Sequence, residues 1–208
     1  MQTIVDDILN IDCTSDLSEF ELPFKCEFSI LQEENCWQGT LMPDRSTLNR
    51  IVAASLSHIL SELDLDAPPA SPGIEISFLF SDDTHIQILN KEYRGKNQPT
   101  NVLSFPQTEL STQNLQETLL FQEPLLLGDI ALAEETIKRE ATEQNKPFRN
   151  HLIHLIVHGV LHLVGYDHIE EDEAELMESL EIEILKKFDI NNPYTIALDE
   201  QEASQSKK

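Results

Sequence analysis

The sequence predicts an α+β domain in which a small mixed β-sheet of about four strands packs with helices. Three observations lead to this fold class. Segments with alternating apolar residues are interspersed with segments that repeat apolar residues at helical spacing, and 40% of the 208 residues are hydrophobic, enough for one domain with a core. In addition, residues 152–164 are all Leu, Ile or Val apart from histidines and one glycine, which predicts a central helix.

Each element is placed by its residue pattern. The predicted elements, in chain order, are a strand at 27–32, a helix at 45–65, a strand at 74–80, a helix at 83–94, strands at 101–106 and 125–133, and helices at 133–144, 147–164 and 170–188. The strand segments alternate or are short apolar runs, rich in β-branched and aromatic residues. The helical segments repeat apolar residues every three or four positions.

Capping residues delimit the first two helices. Asp44 or Ser46 offers a side-chain oxygen to the unbonded N–H groups at the start of the first helix. Asp82 or Asp83 does the same for the second helix. Gly95 ends that helix because glycine adopts the left-handed backbone conformation without strain.

The second half of the chain carries end signals of a different kind. Pro147 suits the first position of the long apolar helix, where a backbone N–H would have no partner. The last helix is amphipathic and has acids at its start and Lys186 and Lys187 at its end, in accord with the helix dipole. Residues 108–124 are polar and rich in glutamine, which favours a surface insertion.

The chain is predicted to form one domain with two irregular ends. Residues 1–26 are expected to be an irregular extension, residues 27–190 the folded domain, and residues 191–208 a disordered tail. No apolar run is long enough for a membrane span, and acids replace the basic residues of a signal peptide, so a cytoplasmic protein without a membrane partner is expected. The three cysteines lack CxxC spacing, which indicates reduced thiols.

The distribution of charge limits where a nucleic acid could bind. A net charge of -24 argues against phosphate binding if it is averaged over the chain. Half of the 14 lysines and arginines, however, lie in residues 91–149, where they nearly balance the acids. RNA contacts are therefore expected in this central part, while the acidic ends serve solubility.

Four histidines lie on or just after the long apolar helix. His154, His158 and His162 are four residues apart, which places them on one face with about 6 Å of rise per step. A metal ion can be shared across one such step but hardly across two. Gly165 can turn the chain back at the helix end, so that His168 closes a site with His158 and His162.

These three histidines predict a single Zn²⁺ ion. Three neutral protein ligands leave zinc a fourth position for water, as in catalytic sites. An isolated histidine on an apolar face is more often a hydrogen-bonded core residue, and this interpretation is applied to His58, His85 and His151. For His154 both packing and a role in the cleft stay open.

The spacing from His158 to His168 equals that of the metzincin peptidases, HExxHxxGxxH. In those enzymes the residue after the first histidine is the glutamate that deprotonates the zinc-bound water. Here that residue is Gly159, which cannot act as a base. The central helix is therefore expected to be zincin-like in its metal binding, without the peptidase machinery, and a peptidase is the obvious alternative.

Two long segments, HGVLHLVGYDH at 158–168 and NKEYRGKNQPTNVLSFP at 90–106, stand out as motifs, together with LGDI at 127–130. They resemble the signatures HGxLHLxGYDH and NxxYRGKxxPTDVLSFP and the LGDI element of the YbeY endoribonucleases, which are bacterial rRNA maturation factors. The resemblance covers roughly 27–188 in the right order. The chain departs from the family at Asn101, where aspartate is usual, and in its polar insertion and extended ends.

The resemblance implies a metal-dependent, single-strand-specific endoribonuclease that acts in rRNA processing, notably at the 3′ end of 16S rRNA, and in ribosome quality control. Its partners would be single-stranded RNA, rRNA and the ribosomal subunit, and no DNA is expected. Arg94 lies where the family keeps its functional arginine, so Arg94 and His158 are the expected catalytic residues, and Arg94 and Lys96 are expected to bind substrate. The alternatives are a surface salt bridge between Arg94 and an acid such as Glu92, and mere solvation for Lys91 and Lys96.

Two further functions stay open at this stage. One is a nonenzymatic, ribosome-associated assembly factor in which zinc only holds the fold, and the other is a metallohydrolase of another substrate. Ser104 and Asp129 are expected to support the cleft through hydrogen bonds rather than to act as nucleophiles. Asp167 either orients a ligand histidine or stabilises the turn in which it lies.

Overall fold

The computed structural model describes residues 25–33, 36–37, 42–63 and 73–195. In chain order, the elements are β1 Cys26–Gln32, α1 Arg45–Glu62, β2 Ile74–Ser81, α2 Asp83–Arg94, β3 Val102–Pro106, α3 Thr112–Phe121, β4 Leu125–Ala133, α4 Glu134–Glu143, α5 Phe148–Leu163 and α6 Glu171–Lys186. None of these helices is long and apolar enough to cross a membrane.

The four strands form one mixed sheet in the order β1-β2-β4-β3. β1, β2 and β4 are parallel, whereas β3 pairs antiparallel with β4 at the edge. Ile130 of β4 lies beside Phe78 of β2 on one side and Ser104 of β3 on the other. The predicted α+β class with a small mixed sheet is confirmed.

Helix α5 is the centre of the domain. It packs against α1, α4 and α6 and against strands β3 and β4 of the sheet. Ile156, Val157 and Val160 of α5 are fully buried, as the all-round apolar pattern of the segment predicts. Burial of this helix among five other elements gives the side chains on its remaining open face fixed positions.

The helix ends follow the capping signals in the sequence, with one correction. The Asp44 carboxylate accepts from the Thr47 N–H at 2.7 Å and the Asp82 carboxylate from the His85 N–H at 2.8 Å, so these two aspartates are the N-caps. The expectation that Pro147 is the first helical residue of α5 is wrong by one position. Its ψ of 132° is not helical, and the helix begins at the next residue.

The segment at 108–124, predicted as a surface insertion, lies mostly at the surface but also contributes to the core. The segment contains α3, which packs against β4, and the side chains of Leu110 and Leu115 are buried in the core. Leu120 and Phe121, at the end of α3, are exposed. Burial of Leu110 and Leu115 therefore holds this segment against the domain, although its overall composition is polar.

The isolated histidines have different environments. His151 is buried and lies 2.9 Å from a carboxylate oxygen of Glu140, and the half-buried ring of His85 bonds Glu33. The core interpretation of His58 is wrong, because this residue lies on the exposed face of α1.

Both chain ends lie largely outside the described residues. The predicted irregular extension at 1–26 is described only at its last two residues, and the predicted tail only at 191–195. Those five residues form a turn that contacts α6, so this part of the predicted tail is structured: the Tyr194 hydroxyl donates to Glu181. Cys26 and Cys36 are buried, and Cys13 lies outside the described residues, so the reduced state of the cysteines stays a prediction.

Candidate metal centre

Two histidines on one face of α5 begin the site. His158 and His162 are one helical turn apart, and their Nε2 atoms lie 3.1 Å from each other. Both rings are half-buried, since the neighbouring turns of α5 are covered by the sheet and by the other helices. Two imidazole nitrogens facing one small space are the arrangement that a shared metal ion requires.

A sharp turn after α5 supplies the third ring. Gly165 has a φ of +97°, a value that other residues rarely adopt, and the Tyr166 N–H donates back to the Leu161 carbonyl at 3.1 Å. The chain then returns to the helix end. The His168 ring centroid lies 5.0 Å from that of His162 and 5.4 Å from that of His158.

The three predicted ligands are thus brought together, and one nitrogen of each ring lies within 4.8 Å of the other two. Tetrahedral zinc with nitrogen ligands at about 2.1 Å requires nitrogens roughly 3.4 Å apart. The 3.1 Å separation between His158 and His162 is close to that value. A set of three imidazoles suits zinc and other first-row transition metals rather than magnesium or calcium, which prefer oxygen. The residues present therefore fit a metal ion with an open coordination position.

Hydrogen bonds to the outer ring nitrogens set the orientation of both helical histidines. The Nδ1 of His162 lies 2.9 Å from the Tyr166 carbonyl oxygen, which can only accept, so the hydrogen is on Nδ1 and the lone pair on Nε2. The Nδ1 of His158 lies 2.8 Å from the Glu181 carboxylate of α6, with the same consequence. Burial lowers the pKa of His162, which favours the neutral form that a metal ligand must have.

Glu181 is a buried carboxylate that holds two histidines of α5. One of its oxygens faces His158, and the other lies 2.7 Å from the Nε2 of His154 and accepts from the Tyr194 hydroxyl. Burial alone would raise the pKa of Glu181, but the hydrogen bonds with His154 and His158 outweigh it and lower the pKa to about 2. His154 is therefore a partner of Glu181 and not part of the three-histidine cluster.

A second carboxylate supports α5 one turn earlier. Glu140 of α4 pairs through one oxygen with His151 and with the side-chain amide of Asn101, each at 2.9 Å. Burial would raise the pKa of Glu140, but these two hydrogen bonds outweigh it and lower the pKa. The Asn101 side chain also accepts from the Val102 N–H at 2.7 Å, so it supports the turn into β3 as an aspartate would.

Gly159 occupies the contact between α5 and the sheet. A β-carbon at this position would lie 3.2 Å from two side-chain carbons of Ile130 and 3.2 Å from the Ser104 hydroxyl. The position at which a metzincin carries its glutamate therefore faces the packed interior in this structure. This geometry argues against the peptidase alternative.

The remaining predicted site residues lie on other elements, outside the three-histidine cluster. Arg94 ends α2 and is exposed, as is Lys96, and neither side chain has a hydrogen bond or ion pair within the described residues. The surface salt bridge proposed as an alternative for Arg94 is therefore absent from this part of the chain. Asp129 accepts from the Gln107 side chain at 2.8 Å, and Asp167 caps its own turn by accepting from the His168 N–H at 2.7 Å.

Sequence reasoning missed Glu181 and Tyr194. A signal for Glu181 is nevertheless present, because it lies in the buried stripe of α6 formed with Met177, Leu180, Ile184 and Leu185. An acid within an apolar stripe predicts a buried partner. For Tyr194, which follows the last helix, no comparable pattern exists.

Comparisons with known proteins show which family the chain belongs to. The family model described as endoribonuclease YbeY matches residues 36–189. The chain is 50% identical over 134 residues to an endoribonuclease YbeY of Magnetococcus marinus, covering 61% of this chain and 91% of that protein. It is 42% identical over 182 residues to one of Bradyrhizobium diazoefficiens, covering 87% and 90%.

One solved structure, a protein of Thermotoga maritima studied in solution, aligns with a TM-score of 0.44 at 21% identity over 84% of this chain and 99% of that one.

The family match extends over more than half of the chain and includes α5, the turn at Gly165 and α6. The histidine cluster thus lies within the matched segment, and an endoribonuclease role is supported. The chain belongs to the YbeY endoribonuclease family.

Proposed function

We propose that this protein is a cytoplasmic, zinc-dependent, single-strand-specific endoribonuclease that acts in rRNA processing, including maturation of the 3′ end of 16S rRNA, and in ribosome quality control. Its partners are single-stranded RNA, rRNA and the ribosomal subunit. The observation that carries the proposal is the convergence of His158, His162 and His168, with one nitrogen of each within 4.8 Å of the others. The family to which the chain belongs supports RNA as the substrate.

Cleavage of a phosphodiester concentrates negative charge on the nonbridging oxygens. A zinc ion held by the three histidines would supply Lewis-acid stabilisation of that charge. Arg94 would contribute a guanidinium, whose planar set of N–H groups matches two phosphate oxygens at once. Its side chain is exposed and has no carboxylate partner within the described residues, so it is available to an RNA phosphate.

The surface charge restricts the path of the RNA. Lys91, Arg94 and Lys96 lie together at the end of α2, whereas the first turn of α6, close after His168, carries three acids. RNA should therefore contact a narrow strip around Arg94 and avoid the outer face of α6. Binding of few phosphates implies a shallow dependence of affinity on salt concentration.

The test is cleavage of a defined single-stranded RNA by the wild type, Arg94→Ala, His158→Ala and Arg149→Ala. Arg149 is a matched control, since it is an exposed arginine in the same weakly charged part of the sequence. Arg94→Ala should keep its metal content and unfolding temperature but lose about 10²–10³-fold in cleavage rate, the usual effect of removing one transition-state donor. His158→Ala should lose activity together with metal, and Arg149→Ala should behave as the wild type.

Two results would contradict the proposal. Equal rates in all four proteins would indicate a contaminating nuclease. The second result combines three observations: the wild type shows no metal-dependent cleavage, Arg94→Ala binds RNA more weakly, and a chelator unfolds the domain. Together they would support an assembly factor in which the metal is structural.

A further inference from the structure

Glu181 is an unusual residue for its position in α6. Its side chain is 1% exposed, and it lies in the helix face that packs toward α5. A buried carboxylate costs several kcal/mol unless charge-assisted hydrogen bonds compensate it. An apolar residue would fill this part of the core at lower cost, so the contacts of Glu181 must account for its presence.

Three donors converge on that carboxylate. The imidazoles of His154 and His158 lie at 2.7 and 2.8 Å, on different oxygens, and the hydroxyl of Tyr194 donates to the oxygen that His154 also bonds. With both oxygens bonded, the carboxylate has little freedom to rotate. The bond with His158 therefore fixes the plane of a ring whose opposite nitrogen points into the histidine cluster.

Tyr194 ties the segment after α6 to the same group. The backbone N–H of Tyr194 donates to the Asn192 side chain at 2.8 Å, and Lys146, before α5, donates to the Pro193 carbonyl at 2.7 Å. The turn at 191–195 is thus anchored both to Glu181 and to the start of α5. The tyrosine hydroxyl thereby restrains the carboxylate at the oxygen that does not bond His158.

We propose that Glu181 is a positioning residue of the metal centre, which orients His158 through its Nδ1, and that Tyr194 holds Glu181 in that orientation. The inference rests on the metal-binding role of the histidines in the proposed function. It adds that α6 and the turn at 191–195 are parts of the metal centre, although they contain none of its ligands. The relevant ligand is a divalent transition metal, with Zn²⁺ or Co²⁺ as probe.

The experiment measures metal affinity, by competition of Zn²⁺ with a chromophoric chelator, and the visible absorption spectrum of the Co²⁺ form. The variants are Glu181→Gln, Tyr194→Phe and the control Glu183→Gln, which changes an exposed carboxylate two residues further along α6. Glutamine offers one acceptor oxygen where the carboxylate offers two. We expect Glu181→Gln to weaken Zn²⁺ binding by about ten- to a hundredfold and to change the Co²⁺ spectrum.

For Tyr194→Phe we expect a smaller loss of affinity in the same direction, and for Glu183→Gln no change. Thermal unfolding of the metal-free proteins separates positioning from folding. If Glu181→Gln lowers the unfolding temperature but binds Zn²⁺ as tightly as the wild type, with the same Co²⁺ spectrum, Glu181 is merely structural and the inference is overturned. Should Glu181→Gln fail to fold, Tyr194→Phe decides, and unchanged affinity in that variant overturns the inference.

His162→Ala distinguishes failure of this inference from failure of the proposed function. A wild type that binds Zn²⁺ no better than His162→Ala refutes the metal site itself, and the role of Glu181 with it. A wild type that binds tightly while Glu181→Gln binds equally tightly refutes only the positioning role.

Discussion

Gly159 offers a sharp test of the contact between α5 and the sheet. In Gly159→Ala, the added methyl would lie 3.2 Å from two carbons of Ile130 and from the Ser104 hydroxyl, which must move by a few tenths of an ångström. Overpacking of this kind costs about 1–3 kcal/mol, and alanine regains about 1 kcal/mol because it favours the helix over glycine. The free energy of unfolding should therefore fall by at most about 2 kcal/mol.

Gly159→Glu restores the glutamate of the metzincin motif but gives it no room. The side chain must displace Ile130 or Ser104 and bury a carboxylate without a matching partner, which together cost at least about 4 kcal/mol. Such a loss is a large part of the roughly 5–15 kcal/mol typical of a folded domain. For a chain of this size it corresponds to a fall of about 10 °C or more in the unfolding temperature.

The assays are thermal unfolding, Zn²⁺ stoichiometry and cleavage of casein. We expect a clear order of stability, with the wild type and Gly159→Ala close together and Gly159→Glu far below, and no casein cleavage by any of them. A Gly159→Glu protein with wild-type stability would show that this helix face is not packed as described. Casein cleavage that depends on both the introduced glutamate and His158 would revive the peptidase interpretation.

Two further predictions concern the carboxylate that pairs with His151 of α5 and the turn that follows this helix. Glu140→Gln should lower the free energy of unfolding by about 1–3 kcal/mol at pH 7, because His151 and Asn101 share its carboxylate. Folding lowers the pKa of Glu140, so the stability that its carboxylate contributes is present above the unfolded pKa of about 4.3 and is lost as the pH falls through the folded pKa. Urea unfolding at pH 7 and at pH 3.5 should therefore show that the difference in free energy of unfolding between Glu140→Gln and the wild type shrinks at the lower pH. Gly165→Ala forces a φ of +97° on alanine, which should lower the free energy of unfolding by about 1–2 kcal/mol and weaken Zn²⁺ binding. The control Gly95→Ala, at φ +69°, should also destabilise the folded protein but leave its metal affinity unchanged. Equal metal affinity in the two glycine variants would show that the turn at Gly165 does not position the third histidine.

Features that depend on neighbouring residues could be predicted from the sequence. Asp82 bonds an N–H three residues away, and Gly95 takes the left-handed conformation that ends α2, so a short window contains the whole interaction. The histidine cluster is almost as local, since its members lie within eleven residues on one helix and the turn after it. Its geometry follows from the helical repeat and one glycine.

Features that depend on distant segments could not be predicted. Leu115 anchors α3 because β4 provides an apolar surface for it, and no local pattern in a glutamine-rich segment indicates that surface. Glu181 is 23 residues beyond His158, and its partner becomes evident only when α6 packs on α5. Pro147 was misplaced by one position, which is the usual precision of a helix end.

The strand order has a consequence for how the protein is made. β4 lies between β2 and β3, so β3, although synthesised earlier, has no neighbour in the sheet until β4 has left the ribosome and inserted beside it. A nascent chain that ends in α3 therefore carries β3 as an unpaired strand. The sheet is completed only when β2 pairs with β4, which follows about fifty residues later in the chain. The histidine helix and α6 follow later still. Folding of this protein during translation should be late and abrupt, with a stage at which chaperones can bind the unpaired strand.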